Sequence, residues 1–577
     1  MRNFEVAFIF YDIADILEIK GENFFKIRAY RKAAHTIENL PLEIEDMAKQ
    51  SRLQEIDGIG KALSGKIDEI INTGSCQYYE ELKRDFPRGL VDMLKIPGLG
   101  AKKINVIYDV LGITSIEELE EAARAHKLRT LPGMGIKTEQ SILKGIQTLR
   151  GHAGKILLAT ALPIAERIST MLSGMKEVTN IGLGGSVRRK KEMVKDLDIV
   201  VATESPEIII KDFLKYPAIT RVLAQGTTKV SVMLNIGLQM DLRVVKPHEF
   251  YSALQHFTGS KEHNTKLRGF ALKMGYKLNE YGIFEKDGGR AFYPESEEEF
   301  YRKLGMSYII PELREDRGEI EAAMEGRLPD VIKQKDIRGD LHIHSNFSDG
   351  VSSIESIVRR AKALGYEYIA ITDHSKSLKI ARGLDESRLK EQINIIKKIN
   401  NKIKGIRVLT GIEVDILTDG TLDFSDDILK ELDVVIASVH SGFKQDQKTL
   451  TRRIINACYN PYVNIIAHPT GRILGRRDPY DVNMDLVLEA AAATGTVLEI
   501  NSSPDRLDLN DFMVKRAKDM GIKVAINTDA HHAETLTDMK YGVWVARRGW
   551  LTAKSIINTL PLEKLLDFLN KTSFRGG

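Results

Sequence analysis

The spacing of apolar residues changes along the chain and divides it into regions. Through residue 150 the apolar positions recur at helical spacing, as in Phe4, Phe8, Ile9, Tyr11 and Ile16. Short Gly-containing turns separate the segments, and there is no sustained alternation. The spacing predicts an all-helical region, with candidate domains at 1–86 and 87–150. Further on the runs shorten to strand-like segments such as Asp196-Leu-Asp-Ile-Val-Val201 and Leu238-Gln-Met-Asp-Leu-Arg-Val-Val245, in which alternate side chains share one face. They fall in candidate domains at 151–250 and 251–311. Residues 312–336 are rich in charge and poor in apolar runs, and read as a helical linker over the surface. From Ile337 to the end, short apolar strands alternate with amphipathic helical stretches in seven units, the pattern of a (β/α) barrel over 337–577.

Length and composition narrow the classes. A chain of 577 residues has room for roughly four domains of about 150 residues. The formal net charge of +4 does not by itself indicate a polyanionic partner, so local patches decide. Only Cys76 and Cys458 occur, which excludes a thiolate zinc finger or an iron–sulfur cluster supplied by this chain alone and fits a reducing compartment. No apolar run approaches the roughly 20 residues needed to cross a bilayer, so the expectation is a cytoplasmic, soluble protein with monomer as the default.

Three turns of the helical region share one pattern. They are Leu53-Gln-Glu-Ile-Asp-Gly-Ile-Gly60, Leu94-Lys-Ile-Pro-Gly-Leu-Gly100 and Leu128-Arg-Thr-Leu-Pro-Gly-Met-Gly135, each followed by a Lys-containing helix. A Gly-apolar-Gly turn lets backbone approach a phosphate, and the next helix offers free N–H groups and a positive dipole end. One such turn could be a mere tight connection. Three, with the pairs Gly58 and Gly60, Gly98 and Gly100, and Gly133 and Gly135, point to a sequence-independent grip on nucleic-acid backbone.

Two sets of side chains carry the chemistry. Asp196 and Asp198 lie two apart on a strand, so both carboxylates leave one face, and Asp241 interrupts a second strand. Three carboxylates on neighbouring strands are costly to bring together without divalent cations, and Mg²⁺ is the expected ion. The preceding Ile181-Gly-Leu-Gly-Gly185-Ser186-Val-Arg-Arg189 supplies a glycine-rich turn, from which the Gly185-Ser186 backbone and the Arg189 guanidinium fork are expected to meet a triphosphate. The run 188–191 can also be an ordinary solvated loop, the lesser of the two readings. In the barrel, candidate ligands fall where strands end. His342, His344, Asp349, Asp373, His374, Glu413, His440, His468, Asn501, Asp529 and His531 occur in that order. A lone histidine there is an ordinary structural residue, but six in one register are not. Imidazole and carboxylate without thiolate suit Zn²⁺, Mn²⁺ or Fe²⁺.

These motifs resemble known families. His256-Phe-Thr-Gly-Ser260-Lys-Glu-His-Asn264-Thr-Lys-Leu-Arg268 is similar to the nucleotide-binding segment of family X DNA polymerases, and Phe25-Lys26-Ile-Arg-Ala-Tyr30-Arg31-Lys32 resembles their amino-terminal lyase domain. The barrel residues resemble the polymerase and histidinol phosphatase (PHP) domain, a distorted seven-stranded barrel. The resemblance implies a multidomain fold: an all-α lyase-like and helix-hairpin-helix region, an α+β nucleotidyltransferase palm and thumb, and a C-terminal distorted (β/α)7 barrel.

It further implies gap filling in DNA repair from dNTPs on gapped or nicked duplex, with Phe257 and Gly259 against the incoming sugar, Asn264 on the new base and Arg268 on the template. Lys66, with Lys26 and Tyr30 beside it, matches the Schiff-base lysine of the lyase site, while Ala62 stands where a second lysine is typical. His342, His344, Asp349, His374, Glu413, His440, His468, Asp529 and His531 match the ligands of a site for up to three Mn²⁺ or Zn²⁺ ions. The implied activity there is 3′–5′ exonuclease, with abasic-site cleavage or 3′-phosphate removal in some members. His256 in place of Tyr and Lys195 in place of Gly depart from the pattern. They leave a second reading, a DNA-binding repair scaffold or nuclease with a weak polymerase site. A third, a small-molecule phosphatase, leaves the hairpins without a purpose.

Overall fold

The computed structural model describes residues 3–572 except 39, 41–43, 57, 85, 95, 97, 98, 153 and 287. The chain forms two compact units, residues 1–153 with 475–478, and residues 154–474 with 479–577. Gly98 of the second hairpin lies outside the described residues.

Every described element of the first unit is helical, as the apolar spacing predicts. It holds two apolar clusters. One gathers Phe10, Ile13, Leu17, Ile37, Ile67 and Ile70, and the other Leu90, Ile104, Ile107, Leu119, Leu128 and Ile142. Ile9 and Ile16 are buried in the first cluster, but Phe8, placed on the same stripe by sequence, is exposed.

In the second unit a five-stranded sheet runs in the order Asn180–Leu183, Asp196–Ala202, Gln239–Val245, Lys229–Leu234, Ile219–Gln225. Only the Asp196–Ala202 and Gln239–Val245 strands are parallel neighbours. Along the former, Leu197, Ile199 and Val201 pack in the cluster of the helices Leu158–Ser173 and Pro206–Phe213. Val200 and Ala202 point the other way, onto Phe250, Ala253 and Leu254 of the helix Phe250–Thr258. Asp196 and Asp198 continue that second face by strand alternation.

A three-stranded antiparallel sheet follows, with the helices Lys261–Lys273 and Glu297–Lys303. The charged stretch 312–336 corrects the expectation of a surface linker. Leu313, Arg314, Glu319, Ile320 and Ile332 are buried; Leu313 and Ile320 join a core that also takes in Trp550, and Ile332 joins the barrel core. Its charge is neutralised internally: Arg314 Nη1 donates to Glu297 Oε1 at 2.7 Å, and Glu319 faces His263 Nδ1 at 2.7 Å. Charge density signals surface only when the charges lack partners.

The last region is a seven-stranded all-parallel sheet in strict chain order, from Gly339–Asp340 to Val524–Asn527. A bridge between Ile343 and Ala530 joins its first and last strands, so the barrel is nearly closed. Its strand interior (Leu341, Tyr368, Leu409, Ile436, Ile465) packs with Leu565 and Leu569 of the terminal helix Leu562–Thr572. The candidate ligands lie at and beyond the C-terminal ends of the strands.

Candidate active sites

The register pairs Asp198 directly with Asp241 across parallel strands, with Asp196 two residues before on the same face. Burial, Asp196 and Asp241 push the Asp198 carboxyl up to about 7. Asp241 goes down despite its burial, because Lys229 Nζ lies 2.6 Å from Oδ2 and Gln239 Nε2 donates to Oδ1 at 3.0 Å. Among the described residues only Asp241 of the three acids has a cation within ion-pair distance, which is the charge imbalance a divalent ion relieves. The glycine turn lies on top of this set. Gly184 N–H donates to the Asp198 carbonyl at 2.8 Å. Gly185 has φ +59°, and a Cβ on it would lie 2.5 Å from Asp198 Oδ2. Glycine is required there by both conformation and space.

Two of the residues expected at the nucleotide are engaged within the protein. Arg189 is not a free fork: Nε donates to Glu315 Oε1 at 2.8 Å and Nη1 to the Thr258 carbonyl at 2.5 Å. Asn264 spends its amide within the protein, donating to the His256 carbonyl at 2.7 Å and accepting from Gln255 Nε2 at 3.0 Å. Nor is 188–191 a solvated loop. Arg188 pairs with Glu297 and Thr258 Oγ1, Lys190 lies over the Trp544 ring at 4.5 Å, and Lys191 approaches Glu315 at 3.6 Å. Phe257 lies beneath Arg243, 4.6 Å from Cζ to the ring centroid, and half-buried His256 meets its edge. Arg268 and Lys195 are exposed, and Gly259 has φ +70°.

In the barrel, Glu413 is the hub. Its carboxylate lies 2.7 Å from His374 Nδ1, 3.1 Å from His468 Nε2, 3.4 Å from His440 Nε2, 3.5 Å from His344 Nε2 and 3.6 Å from His342 Nε2. His344 also faces Asp529 at 3.1 Å, and His531 Nε2 lies 3.3 Å from Asp349 Oδ2. All nine candidate ligands thus converge: eight form three overlapping groups that share His344 and His374, and His468 joins them through Glu413.

The donor set fits metal ions. His342 Nε2 and His344 Nε2 face each other at 3.1 Å, and buried Glu413 Oε2, His374 Nδ1 and His344 Nδ1 have no aligned hydrogen bond. Such orphaned donors and acceptors are costly unless something binds them. Burial, with His531 and His374 nearby, holds His344 down to about 3, in the neutral form that ligates. His468 and Asp529 adopt φ +28° and +53°, strain that strand ends accept where side chains must converge.

Sequence reasoning missed the residues that aim these ligands. Glu499 accepts His342 Nδ1 at 2.8 Å, the His468 N–H at 2.9 Å and Asn527 Nδ2 at 2.9 Å. Asp415 accepts His440 Nδ1 at 2.5 Å. Such carboxylates turn the other ring nitrogen toward the metal and raise its basicity. The signal was two-residue alternation: Asp415 follows Glu413 on one strand face, and Glu499 precedes Asn501 on another.

In the helical unit Gly58 and Gly133 have positive φ, and Gly60 and Gly100 cap the helices Lys61–Thr73 and Ala101–Leu111. A Cβ on Gly60, Gly100 or Gly135 would meet nothing within 4 Å. Internal packing therefore does not demand these glycines. Lys26 and Lys66 both lie over the ring of Tyr78, at 5.2 and 5.1 Å, and Tyr78 stacks on Tyr30. Tyr78 went unnoticed in sequence because it lies in the next helix.

The palm, with acids beneath a Gly-Ser turn, defines a nucleotidyltransferase, here fused to a metal-dependent phosphoesterase-type barrel. Family descriptions match in the same order: a helix-hairpin-helix domain over 1–76, a SAM-like helix-hairpin-helix tandem over 90–148, a DNA polymerase beta thumb over 253–315 and a PHP domain over 340–503. The chain is 41% identical over 577 residues to the DNA polymerase/3′-5′ exonuclease PolX of Bacillus subtilis, covering 99% of this chain and 100% of that protein. It is also 33% identical over 249 residues to a probable phosphatase of Thermoanaerobacter sp. (strain X514), covering 41% of this chain and 96% of that one. The chain belongs to the family X DNA polymerases that carry a C-terminal PHP domain. It is an enzyme with DNA as partner, and none of its described helices is long and apolar enough to cross a membrane.

Proposed function

We propose that this enzyme fills short gaps in damaged DNA from dNTPs in its palm and trims 3′ ends in its barrel, as a cytoplasmic monomer acting on gapped or nicked duplex. The observation that carries it is one chain with two separate acid clusters, Asp196, Asp198 and Asp241 beneath the Gly185-Ser186 turn, and the nine ligands around Glu413. We assign Mg²⁺ to the first and up to three Mn²⁺ or Zn²⁺ ions to the second. When bound, these ions supply charge neutralisation for phosphate oxygens at both centres. The protein's own residues do the rest. The turn presents backbone donors to the triphosphate, Phe257 and Gly259 wall the sugar, and exposed Arg268, whose Nε donates to the Asn264 carbonyl at 3.2 Å, meets the template. Glu499 and Asp415 hold His342 and His440 in one ring orientation. The hairpin glycines Gly58, Gly60, Gly98, Gly100, Gly133 and Gly135 track duplex backbone on either side of a gap.

The proposal extends to abasic-site or 3′-phosphate cleavage in the barrel and to sugar-phosphate lyase chemistry at Lys66, supported by Lys26, Tyr30 and Tyr78 around it. We divide the chain at 1–86 (lyase-like), 87–150 (fingers-like), 151–250 (palm), 251–311 (thumb) and 337–577 (barrel), with 312–336 as a buried strap. One observation favours the second reading, a repair nuclease with a weak polymerase: Arg189 and Asn264 are already engaged within the protein.

Primer extension and degradation on a gapped duplex decide between them, in Mg²⁺ and in Mn²⁺. Asp196→Ala with Asp198→Ala is expected to lose only extension, and His342→Ala with His344→Ala only degradation. An intact chain that degrades and never extends establishes the second reading. For the lyase, borohydride should trap the intact chain on an abasic 5′ end and fail to trap Lys66→Ala.

A further inference from the structure

A cluster of buried charge away from both metal centres joins the barrel to the nucleotide turn. Arg548 ends the barrel helix Met539–Arg548 and is 4% exposed. Its Nη1 donates to the backbone carbonyl of Arg189 at 2.7 Å and to Glu315 Oε1 at 3.0 Å, and its Nη2 donates to Asp511 Oδ2 at 2.7 Å. Glu315 accepts Arg189 Nε at 2.8 Å and lies 3.6 Å from Lys191. Asp511 also pairs with Arg317 at 3.1 Å. Burial would push Glu315 up, but Arg548, Arg189 and Lys191 hold it down to about 2. Arg189 Nη1 then reaches the Thr258 carbonyl and lies 3.0 Å from the Cβ position of Gly259. The network therefore runs without a break from Asp511 in the barrel, through Arg548, Glu315 and Arg189, to Thr258.

Both of its polymerase ends are walls of the nucleotide cleft. Arg189 caps the short helix Gly185–Arg188 that begins at the turn, its N–H donating to the Gly185 carbonyl. Thr258 stands between Phe257 and Gly259. A clamp that only glued two domains together would end on core elements, whereas this one ends on the two segments that must hold the triphosphate and the sugar. Misplacing such segments by about 1 Å can cost on the order of 10²-fold in rate.

We propose that Arg548, a residue of the phosphoesterase barrel, is a positioning residue for nucleotide insertion: through Glu315 and the Arg189 carbonyl it fixes the Gly185–Ser186 turn against the Phe257–Ser260 segment. This rests on the polymerase reading above. It makes the barrel a working part of the polymerase as well as a second enzyme.

The test uses the full chain in single-nucleotide gap filling, with KM for the incoming dNTP and kcat measured separately. Removing one partner from a buried ion network can be strongly destabilising. Arg548→Met is therefore paired with Glu315→Gln, which keeps the shape and removes the charge. Both are expected to raise KM by about tenfold, the size of effect that coupling through packed networks produces, with a smaller change in kcat. Glu315→Gln leaves buried cations uncompensated and should melt lower, but assayed below its melting transition it should keep its Mn²⁺-dependent degradation of 3′ ends. Arg548→Lys should recover part of the loss, since one ammonium can reach some of the three acceptors. An unchanged KM in both variants overturns the proposal, as does a loss of degradation as large as the loss of gap filling, which would mark general unfolding. An intact chain that inserts no nucleotide overturns the polymerase reading itself and this proposal with it.

Discussion

Replacing Glu499 by Gln tests whether the barrel's metal affinity depends on a residue that is not itself a ligand. Glu499 is fully buried and accepts hydrogen bonds from His342 Nδ1, the His468 backbone and Asn527 Nδ2. A carboxylate can accept all three. A carboxamide cannot, because Oε1 accepts from His342 and Asn527 and Oε2 from the His468 N–H, so its NH₂ would face either the first pair or the His468 backbone, donor to donor. With the NH₂ on the His342 side, that ring is free to rotate or change tautomer and its Nε2 no longer points at Glu413 and Asp529; with it on the other side, the backbone that carries the ligand His468 is displaced. Losing such an outer partner typically costs 10- to 100-fold in metal affinity, about 1.4–2.7 kcal/mol. Leaving a buried donor unmatched adds roughly 1–3 kcal/mol of destabilisation. The assay is Mn²⁺ titration of 3′-end degradation, with gap filling in Mg²⁺ as the internal control. The half-saturating Mn²⁺ concentration should rise by 10- to 100-fold while gap filling is unchanged. A half-saturation point that stays where it was would refute the reasoning, because it would mean His342 is held by the barrel wall and not by Glu499.

Gly185→Ala should abolish extension and spare degradation in the same primer assay, because the new Cβ would sit 2.5 Å from Asp198 Oδ2 at φ +59°. An active Gly185→Ala enzyme would mean that the turn moves away from the carboxylates during insertion. Glu297 predicts an acid limit. Burial raises its carboxyl, but Arg314 and Arg188 hold it down, from the usual 4.5 to about 2. A lowered folded-state pKa gives stability that is present above 4.5 and lost as pH falls toward 2, worth about 3 kcal/mol. Thermal melts from pH 6 to pH 2 should therefore be steeper for the intact chain than for Glu297→Gln, and parallel curves would remove Glu297 from the account.

The parts of the fold that were legible in sequence are those where chemistry and period coincide. The nine barrel ligands stand out because histidines recur at strand ends, and Asp196 and Asp198 because strand alternation puts them on one face. What stayed hidden depends on partners distant in the chain. Arg189 reads as a phosphate fork until Glu315, 126 residues away, is seen to hold it. Glu499 and Asp415 read as ordinary strand-end acids because nothing local says which histidine each one faces. Residues 312–336 read as surface because Arg314 and Glu319 are charged, and their neutralising partners Glu297 and His263 belong to other helices. Tyr78 was missed for the same reason: its two lysines come from separate helices.

That buried strap bears on whether the barrel can be removed. Trp550 of the barrel region, 8% exposed, lies in the cluster that includes Leu267, Phe300, Ile309 and Ile320 of the thumb and strap. Trp544 packs against the palm cluster and carries Lys190 over its ring. Arg547 Nε donates to Glu312 at 2.8 Å, and its Nη1 donates to the Ile332 carbonyl at 3.0 Å. Truncating a buried Trp to Ala costs about 3–5 kcal/mol. Deleting the barrel removes both tryptophans, leaves Glu312 without Arg547 and takes Arg548 from Glu315, which keeps Arg189. Against a total stability of about 5–15 kcal/mol, that loss is large. A chain ending at residue 336 is therefore expected to melt well below the intact protein and to expose apolar surface to a dye such as ANS. Trp550→Ala in the full chain should reproduce part of the effect without touching a metal ligand. A truncated chain that melts as the intact protein does and fills gaps at the same rate would show that the polymerase half closes its own core, and that the shared tryptophans add contact without adding stability.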